Sequence, residues 1–599
     1  MILQALHELY ERLEADPAYD VAPRGKSHQK VTFVVVLDPN GNLVGIQDAR
    51  QEVEGRKIPK RVLVLGDTKP SGSGMNPCFL WDAPGYLLGW HSANDPTARG
   101  KRERAKKTFQ AFRMKHLELE EEIGVPEFSA VCRFLERWEP SNCSRYPILE
   151  EVGSGFGVFQ IRGETRYVHE HPRIAEWWEK RHSSTEDKAL GQCLITGKTA
   201  GIARLHPKIK RVDGSQPSGA TIAGFNDSAY WSFGLEQSYN APVSEEAAHR
   251  YVTALNALLD SPRSDKHRLV VGGTTVAFWT DRPCPTEDVF LPFAGQGSSL
   301  LEGSLAQDEG VRAKVEAFLK ALRRGREAYA ELDSEPETRR YFIVGLAAPT
   351  PARVAVRFFH RGTLGELLDN LRRHHRDIGI ERQFGEGTKN PEPEFPPVQL
   401  LLEQTCPRKN NLPDREKIPP LLAGPLLEAV VAGKRYPDGL FGAVMRRIAA
   451  ERSVNYPRAC VIKGYLVRNM GKEISVSLDT ARTEPAYRLG RLFAALEKTQ
   501  RDALGSLNTT IRDSFYASAS ATPAAVFPRL LRTYQHHLAK LEGGHKVNRE
   551  RLVQEILAPL SEMPAHLSLA EQGLFALGYY HQMNAFFTKK EDQETAARN

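Results

Sequence analysis

The chain has 599 residues, 26% of them charged and 41% hydrophobic, a composition that builds cores and excludes a disordered or fibrous polypeptide. Its length exceeds what one compact core holds, so two to four domains are expected. Lysine and arginine number 81 against 74 acids, a net charge of +7 that matters for partners only where basic residues cluster.

The N-terminus, MILQALHELYERLEAD, sets Ile2, Leu6, Leu9 and Leu13 on one face of a first helix. Val31 to Leu37 predicts a strand, DPNGN at 38–42 a turn, and a second strand begins near Leu43, together a β-hairpin. Arg61 to Leu65 predicts another strand, which runs into residues 66–77, GDTKPSGSGMNP, too rich in glycine and proline for a regular element. Phe79 to Trp90 is apolar and is expected to pack back onto the sheet. Lys101, Arg102, Arg104, Lys106, Lys107, Arg113 and Lys115 then fall within fifteen residues of helical spacing, and an acidic cluster follows from Glu118 to Glu122. A helix dipole favours the reverse order, so the basic end either meets a partner or is a solvated face.

From Val168 to about Arg382 the pattern is mixed. Leu269–Val271, Thr275–Trp279, Tyr341–Leu346 and Arg353–Phe359 predict strands, and Ser244–Leu259 and Val311–Arg324 predict helices. Residues 385–425 are dense in proline and glycine and are expected to be a linker or extended loop. Between Lys434 and Met470 eight basic residues face only Asp438 and Glu451. Beyond Tyr487 one apolar stripe runs through Leu489, Leu492, Phe493 and Leu496, and a second through Phe527, Leu530, Leu531, Tyr534, Leu538 and Leu541. Ser568 and Glu571 have capping-box spacing before Leu574, Phe575, Tyr579 and Phe586. The expected fold class is α+β: an N-terminal region at 1–130, a central body at 131–384, a connecting region at 385–469 and a C-terminal helical bundle at 470–599.

The motifs that carry enzyme chemistry each lack a necessary part. Residues 191–199, GQCLITGKT, have five residues between glycines where a phosphate-binding loop needs four. His169-Glu170-His171 would place two imidazoles on one side of a strand, without a third ligand at metal spacing. The Gly-Ser-Gly turns at 72–74 and 153–155 lack nucleophile-elbow spacing. Seven cysteines lie scattered without a CxxC pair, which fits a reducing cytoplasm, and no apolar run reaches signal or membrane-spanning length.

Nucleic acid is the better partner. The segment IARLHPKIKR at 202–211 interleaves basic and apolar residues and continues into GSQPSGA at 214–220, a combination suited to a sugar-phosphate track. Phe225, Tyr230 and Trp231 supply rings for base stacking or for a core, the commoner use. On a strand, Arg353 and Arg357 would project from one face with Ala355 as a basic stripe.

Long strings now carry a resemblance: MILQALHELYERL at the start, the block from CLITGKTAGIARLHPKIKRVDGSQPSGATIAGFNDSAYWSFGLEQSYNAPVSEEAAHRYVTALNALL, YFIVGLAAPTPARVAVRFF, LGRLFAALEKTQRDALGSLNTTIRDSFYASASATPAAVFPRLLRTYQHHLAKLE and PAHLSLAEQGLFALGYYHQ. In this order, from the first residue to about Phe587, they resemble the large-subunit family of the type I-C CRISPR surveillance complex, Cascade. The resemblance implies a non-catalytic subunit with no metal or cofactor. It would recognise the protospacer-adjacent motif (PAM) in duplex DNA, assist duplex opening, hold the displaced strand and dock a separate helicase-nuclease. Its implied partners are crRNA, target double-stranded DNA, and the backbone and crRNA-processing subunits. A small subunit made from its own C-terminal region, by internal initiation near Met470 or Met445, completes the set.

Under that resemblance the glycine-rich loop becomes the expected PAM reader through Lys69, Ser71, Ser73 and Asn76, because small polar side chains enter a minor groove. The loop from Lys208 to Gly219, with Gln216 as base contact, is the second candidate. Arg204, Lys208, Lys210, Arg211, Arg353 and Arg357 are expected on the displaced strand. Arg488, Arg491, Lys498 and Arg512 are expected as backbone contacts in the bundle, the first three from one helical face. The alternatives are a purely architectural RNA-binding subunit, and a nuclease or ATPase of the same pathway.

Overall fold

The structure, a computed structural model, describes residues 1–587 apart from 54, 68, 70–73, 93–97, 154, 184–188, 297–308, 383–391, 411 and 506–508. The chain divides into two compact units, one formed by Met1–Lys208 with Ala223–Ala257, the other by Ile209–Ile222 with Leu258–Asn599.

The first unit is organised by the strand Lys26–Leu37. Its run of β-branched residues is apolar on both sides because both faces of the sheet are covered. Leu43–Asp48 pairs antiparallel with it, Phe156–Ile161 parallel, and Lys60–Leu65 antiparallel along its first half. Phe33, Val35 and Leu37 point to a core shared with Phe112, Phe128 and Trp178 of the flanking helices Ala98–Leu117, Pro126–Arg137 and Pro172–Ser183. Val34 and Val36, on the opposite side, pack with Val62, Val64, Trp81 and Val158. The hairpin turn forms as the sequence predicts, with Asp38 accepting hydrogen bonds from the Asn40 and Asn42 amides. Trp81–Asp82 pairs with Phe156–Ile161, so the apolar stretch after the glycine-rich loop does return to the sheet.

The second unit starts from an antiparallel meander of Arg268–Val271, Thr274–Thr280, Arg340–Thr350 and Arg353–Thr363. Thr363 and Glu366 form a capping box that turns the last strand into the helix Leu364–Ile378. One hydrophobic core then runs from Val271 to Met583, joining this sheet to the C-terminal helices. The expected bundle is present as Pro485–Leu504, Ile511–Ala521, Pro523–Leu538, Gly543–Leu557 and Leu569–Ala585, and Ser568 caps the last of these. Its central pair crosses on glycines: a Cβ at Gly490 would lie 2.0 Å from the Phe575 carbonyl oxygen, and one at Gly578 2.1 Å from that of Tyr487.

Two local expectations are corrected. The stretch read as a linker folds, among its described residues, into helices Val398–Glu403 and Ala423–Val431 with the buried anchors Leu402, Leu426 and Leu427; its described prolines lie outside these helices except Pro425, in the first turn of the second, where no intrahelical bond is lost. His169 and His171 do not share a strand face. Val168–Glu170 is a turn of 3₁₀-helix, and His169 is buried with its Nε2 3.1 Å from the Leu63 carbonyl. Within residues 191–199, the segment 193–198 forms the turn of a hairpin between Leu190–Gln192 and Thr199–Gly201. No helix of the described residues is long and apolar enough to cross a membrane.

Candidate nucleic-acid interface

The glycine-rich loop of the first unit is fastened at both described ends. Gly66, at a φ of +105° that only glycine adopts without strain, donates its N–H to Gly25 at 2.7 Å, and its carbonyl accepts from Ser27 Oγ at 2.7 Å. Across the loop, Trp81 Nε1 donates to the Leu65 carbonyl at 2.7 Å. His116 is enclosed between Phe79 and Phe112; its Nδ1 donates to the Phe112 carbonyl and its Nε2 accepts from the Leu80 N–H at 3.0 Å. Burial pulls the His116 pKa down to about 3, so this neutral tautomer is the state that holds Leu80 at its left-handed φ of +61°.

Below the loop lies a buried carboxylate. Asp82, with 0% of its side chain exposed, accepts from the Cys78 N–H at 2.9 Å and the Ala83 N–H at 2.7 Å, and pairs with the Lys69 ammonium. Burial pushes the Asp82 carboxyl above the ordinary range, against which Lys69 and the backbone donors act. Lys69 also donates to the Asn76 carbonyl at 3.2 Å and sits 3.5 Å from the centre of the Tyr86 ring. Lys115 donates to the Pro77 carbonyl at 2.7 Å.

The candidates on this loop therefore separate. Lys69 is an internal clamp, whereas Asn76 is exposed and its carboxamide bonds no described residue. Ser71 and Ser73 lie outside the described residues. Sequence reasoning missed Asp82 and His116 and read Lys115 only as one of the helix's basic cluster, for their partners are 13 to 38 positions away.

In the second unit the structure brings together candidates that lie far apart in the chain. Thr221 bridges in parallel to Arg353, its N–H bonding the Ala352 carbonyl, so residues 209–222 add to the outer edge of the last strand. The Gln216 N–H donates to the Pro351 carbonyl at 2.9 Å, and its side-chain Nε2 closes its own turn on the Gly219 carbonyl at 3.0 Å. Lys210, Arg211, Gln216, Arg353 and Arg357 thus belong to one edge. Arg211 is exposed and pairs with Asp260 at 2.7 Å. The flat stripe expected for Arg353 and Arg357 is interrupted by a bulge: Gly345 pairs with Phe358 and Leu346 with Val356, leaving Arg357 between them and exposed.

Arg204 and Lys208, in the first unit, are both exposed, and Arg204 bonds Gln237 Oε1 at 3.1 Å. Gln237 closes a segment whose aromatic side chains are outside the core. Tyr230 and Trp231 are exposed and Phe233 is 99% exposed, with Asn240 fastening the loop through the Ser232 N–H and the Leu235 carbonyl.

Two of the four bundle candidates, Arg488 and Arg491, are corrected. Arg491 is 0% exposed and donates to Gln582 Oε1 at 3.1 Å, with Glu555 at 3.5 Å; Arg488 is buried against the carbonyls of Thr480, Glu555 and Ile556. Lys498 pairs with Asp502, and Arg512 lies 3.9 Å from the buried Glu497. For Arg488 and Arg491 the physical reason is the position of their helix: Pro485–Leu504 is the centre of the bundle and is packed all round along its first half, so that half has no basic face to present, whereas Lys498 lies beyond it and Arg512 on Ile511–Ala521.

Among the described residues no three His, Cys, Asp or Glu side chains gather as a metal site. A comparison with protein families matches residues 6–587 to the model described as CRISPR-associated protein (Cas_Csd1). A search of curated proteins finds no match.

Proposed function

The chain belongs to the CRISPR-associated Csd1 family, the large subunit of type I-C Cascade, and from that premise we propose that it is the non-catalytic subunit that recognises the PAM in duplex DNA. In this reading the loop at 66–77 enters the minor groove beside the guide-matched sequence. Base pairing with crRNA supplies most of the specificity, so the protein needs to read only a few base pairs.

The observation that carries the reading is the fastened base of the loop. A short reader must hold a fixed position against the duplex, and here the backbone on both sides is bonded to the sheet and to buried side chains. Asn76 is the described residue with a carboxamide open to a base edge; Ser71 and Ser73 join it as proposed readers, and Lys69 holds the frame. Gln216 remains the second candidate. Arg204, Lys208, Lys210, Arg211, Arg353 and Arg357 are proposed to steady the displaced strand, and a helicase-nuclease to dock on the assembled particle. Met470 ends the helix Tyr456–Met470 and Met445 lies buried inside Asp438–Glu451, so initiation at Met470 is the reading that leaves every later helix whole.

The test is binding of the assembled complex to a library of matched targets that differ only in their flanks. Asn76→Ala, and Ser71→Ala with Ser73→Ala, are expected to change the order of preferred flanks by about 1–3 kcal/mol at the positions read. An unchanged order would favour the architectural reading instead.

A further inference from the structure

The helix Ala98–Leu117 carries a dense basic surface, and its far end is part of the frame that holds the loop. Ala105, Thr108, Phe109, Phe112 and His116 face inward. Lys101, Arg102, Arg104, Lys106 and Lys107 are exposed and Arg113 half-exposed. Glu103 is the acid among them, 3.3 Å from Lys106. Arg102, Lys107 and Arg113 form no ion pair with a described residue.

At 3.6 residues per turn, Arg102, Lys106 and Arg113 fall within about 40° of arc and span about 16 Å of helix, the length of roughly five base pairs. The first turn holds no acid, and basic side chains stand one turn apart at Arg102 and Lys106 and at Arg104 and Lys107. Such an arrangement repels itself and opposes the helix dipole, and a polyanion relieves both. At the other end, the Lys115 ammonium bonds Pro77 at 2.7 Å and His116 bonds Leu80 at 3.0 Å. Whatever fixes the helix on DNA therefore fixes the loop.

We propose that this helix lies along the sugar-phosphate backbone of the PAM duplex and sets the register at which the loop meets the groove. The proposal rests on the loop reading above and adds to it a positioning element that carries no sequence information of its own.

The experiment measures target binding by the assembled complex between 50 and 200 mM salt, on several flanks, with the chain unchanged and with Arg102→Gln, Lys106→Gln and Arg113→Gln combined. Each phosphate contact contributes about 0.9 to the slope of log affinity against log salt, so the triple variant should be shallower by about 2.7. The same rule makes the salt-driven loss of affinity over that range about 40-fold smaller, equally on every flank. Arg102→Lys with Arg113→Lys should keep the original slope. An unchanged slope, or a loss confined to some flanks, overturns the proposal, as does loss of a protein partner in place of DNA. Asn76→Ala separates the two readings. If it alters flank order while the slope ignores the helix, the helix inference fails and the loop reading stands. If the slope falls while Asn76→Ala changes nothing, the helix holds DNA and the loop reading fails.

Discussion

Replacing Lys69 with methionine separates a clamp from a reader. The ammonium is the charge partner of Asp82, a carboxylate with 0% exposure whose remaining bonds are to two backbone N–H groups. Removing one partner of a buried pair leaves the other uncompensated, which costs about 3–5 kcal/mol. Asp82→Asn keeps an oxygen acceptor but turns an amide donor toward a backbone N–H, and should cost about 1–3 kcal/mol. With both changes the uncompensated charge is gone, so the double variant should lose about 1–3 kcal/mol less than the sum of the singles. Urea unfolding of the purified chain, followed by tryptophan fluorescence because Trp81 and Trp178 border this region, measures all four proteins. If Lys69→Met unfolds at the same urea concentration yet shifts flank preference in the assembled complex, Lys69 is a groove contact and the clamp argument is wrong.

Two further outcomes follow from the burial of charge. Arg491→Met strands Gln582 Oε1 inside the bundle while Glu555 stays half in water, so it should cost about 1–3 kcal/mol of stability and leave the salt slope of DNA binding unchanged; a shallower slope would return Arg491 to the interface. The buried His116 and His169 have pKa values pulled down to about 3 and about 4, so the unfolded chain binds protons that the folded chain refuses between pH 6.5 and those values. Their stabilisation is whole above pH 6.5 and falls with pH, by roughly 2 kcal/mol each at pH 5; His375 and His581, also pulled down to about 3, and the buried His374 add to the same loss, so His116→Gln, which still offers Leu80 an acceptor, should remove about 2 kcal/mol of the fall in urea-derived stability between pH 7 and pH 5 and leave the rest.

Period and turn chemistry made much of the fold legible. The doubly buried second half of the strand Lys26–Leu37 announces itself as the apolar, β-branched-rich run Val31 to Leu37, the meander strands by short apolar runs between turns, and the bundle by stripes at helical spacing with a capping box at Ser568. What stayed hidden depends on partners distant in the chain. The bulge at Arg357 is set by the register of the neighbouring strand, and the addition of residues 209–222 to the sheet edge is a pairing across 132 positions that no local pattern encodes. The helices in 398–431 were obscured because proline density signals breaks without telling how much helix lies between them.

The same limit governs the basic residues, on which the proposed function rests. Of those between Lys434 and Met470, Arg458 is buried on Glu451, Lys463 on the Gly379 carbonyl, and Arg468 on Asp377 at 2.8 Å. A cluster that reads as a polyanion surface is thus, at these three positions, cement inside the second unit, just as Arg488 and Arg491 are in the bundle. Composition cannot distinguish the two uses, because a guanidinium that satisfies three buried carbonyls and one that waits for a phosphate are the same side chain. Burial distinguishes them. Applied to the candidates, it withdraws Arg488 and Arg491 with Arg458, Lys463 and Arg468, and keeps Arg204, Lys208, Arg357 and the exposed bases of the helix Ala98–Leu117, which is anchored to the loop. If DNA binding by the complex lost its salt dependence on changing Arg458 or Arg468 but not Arg102 or Arg113, burial would have been the wrong criterion.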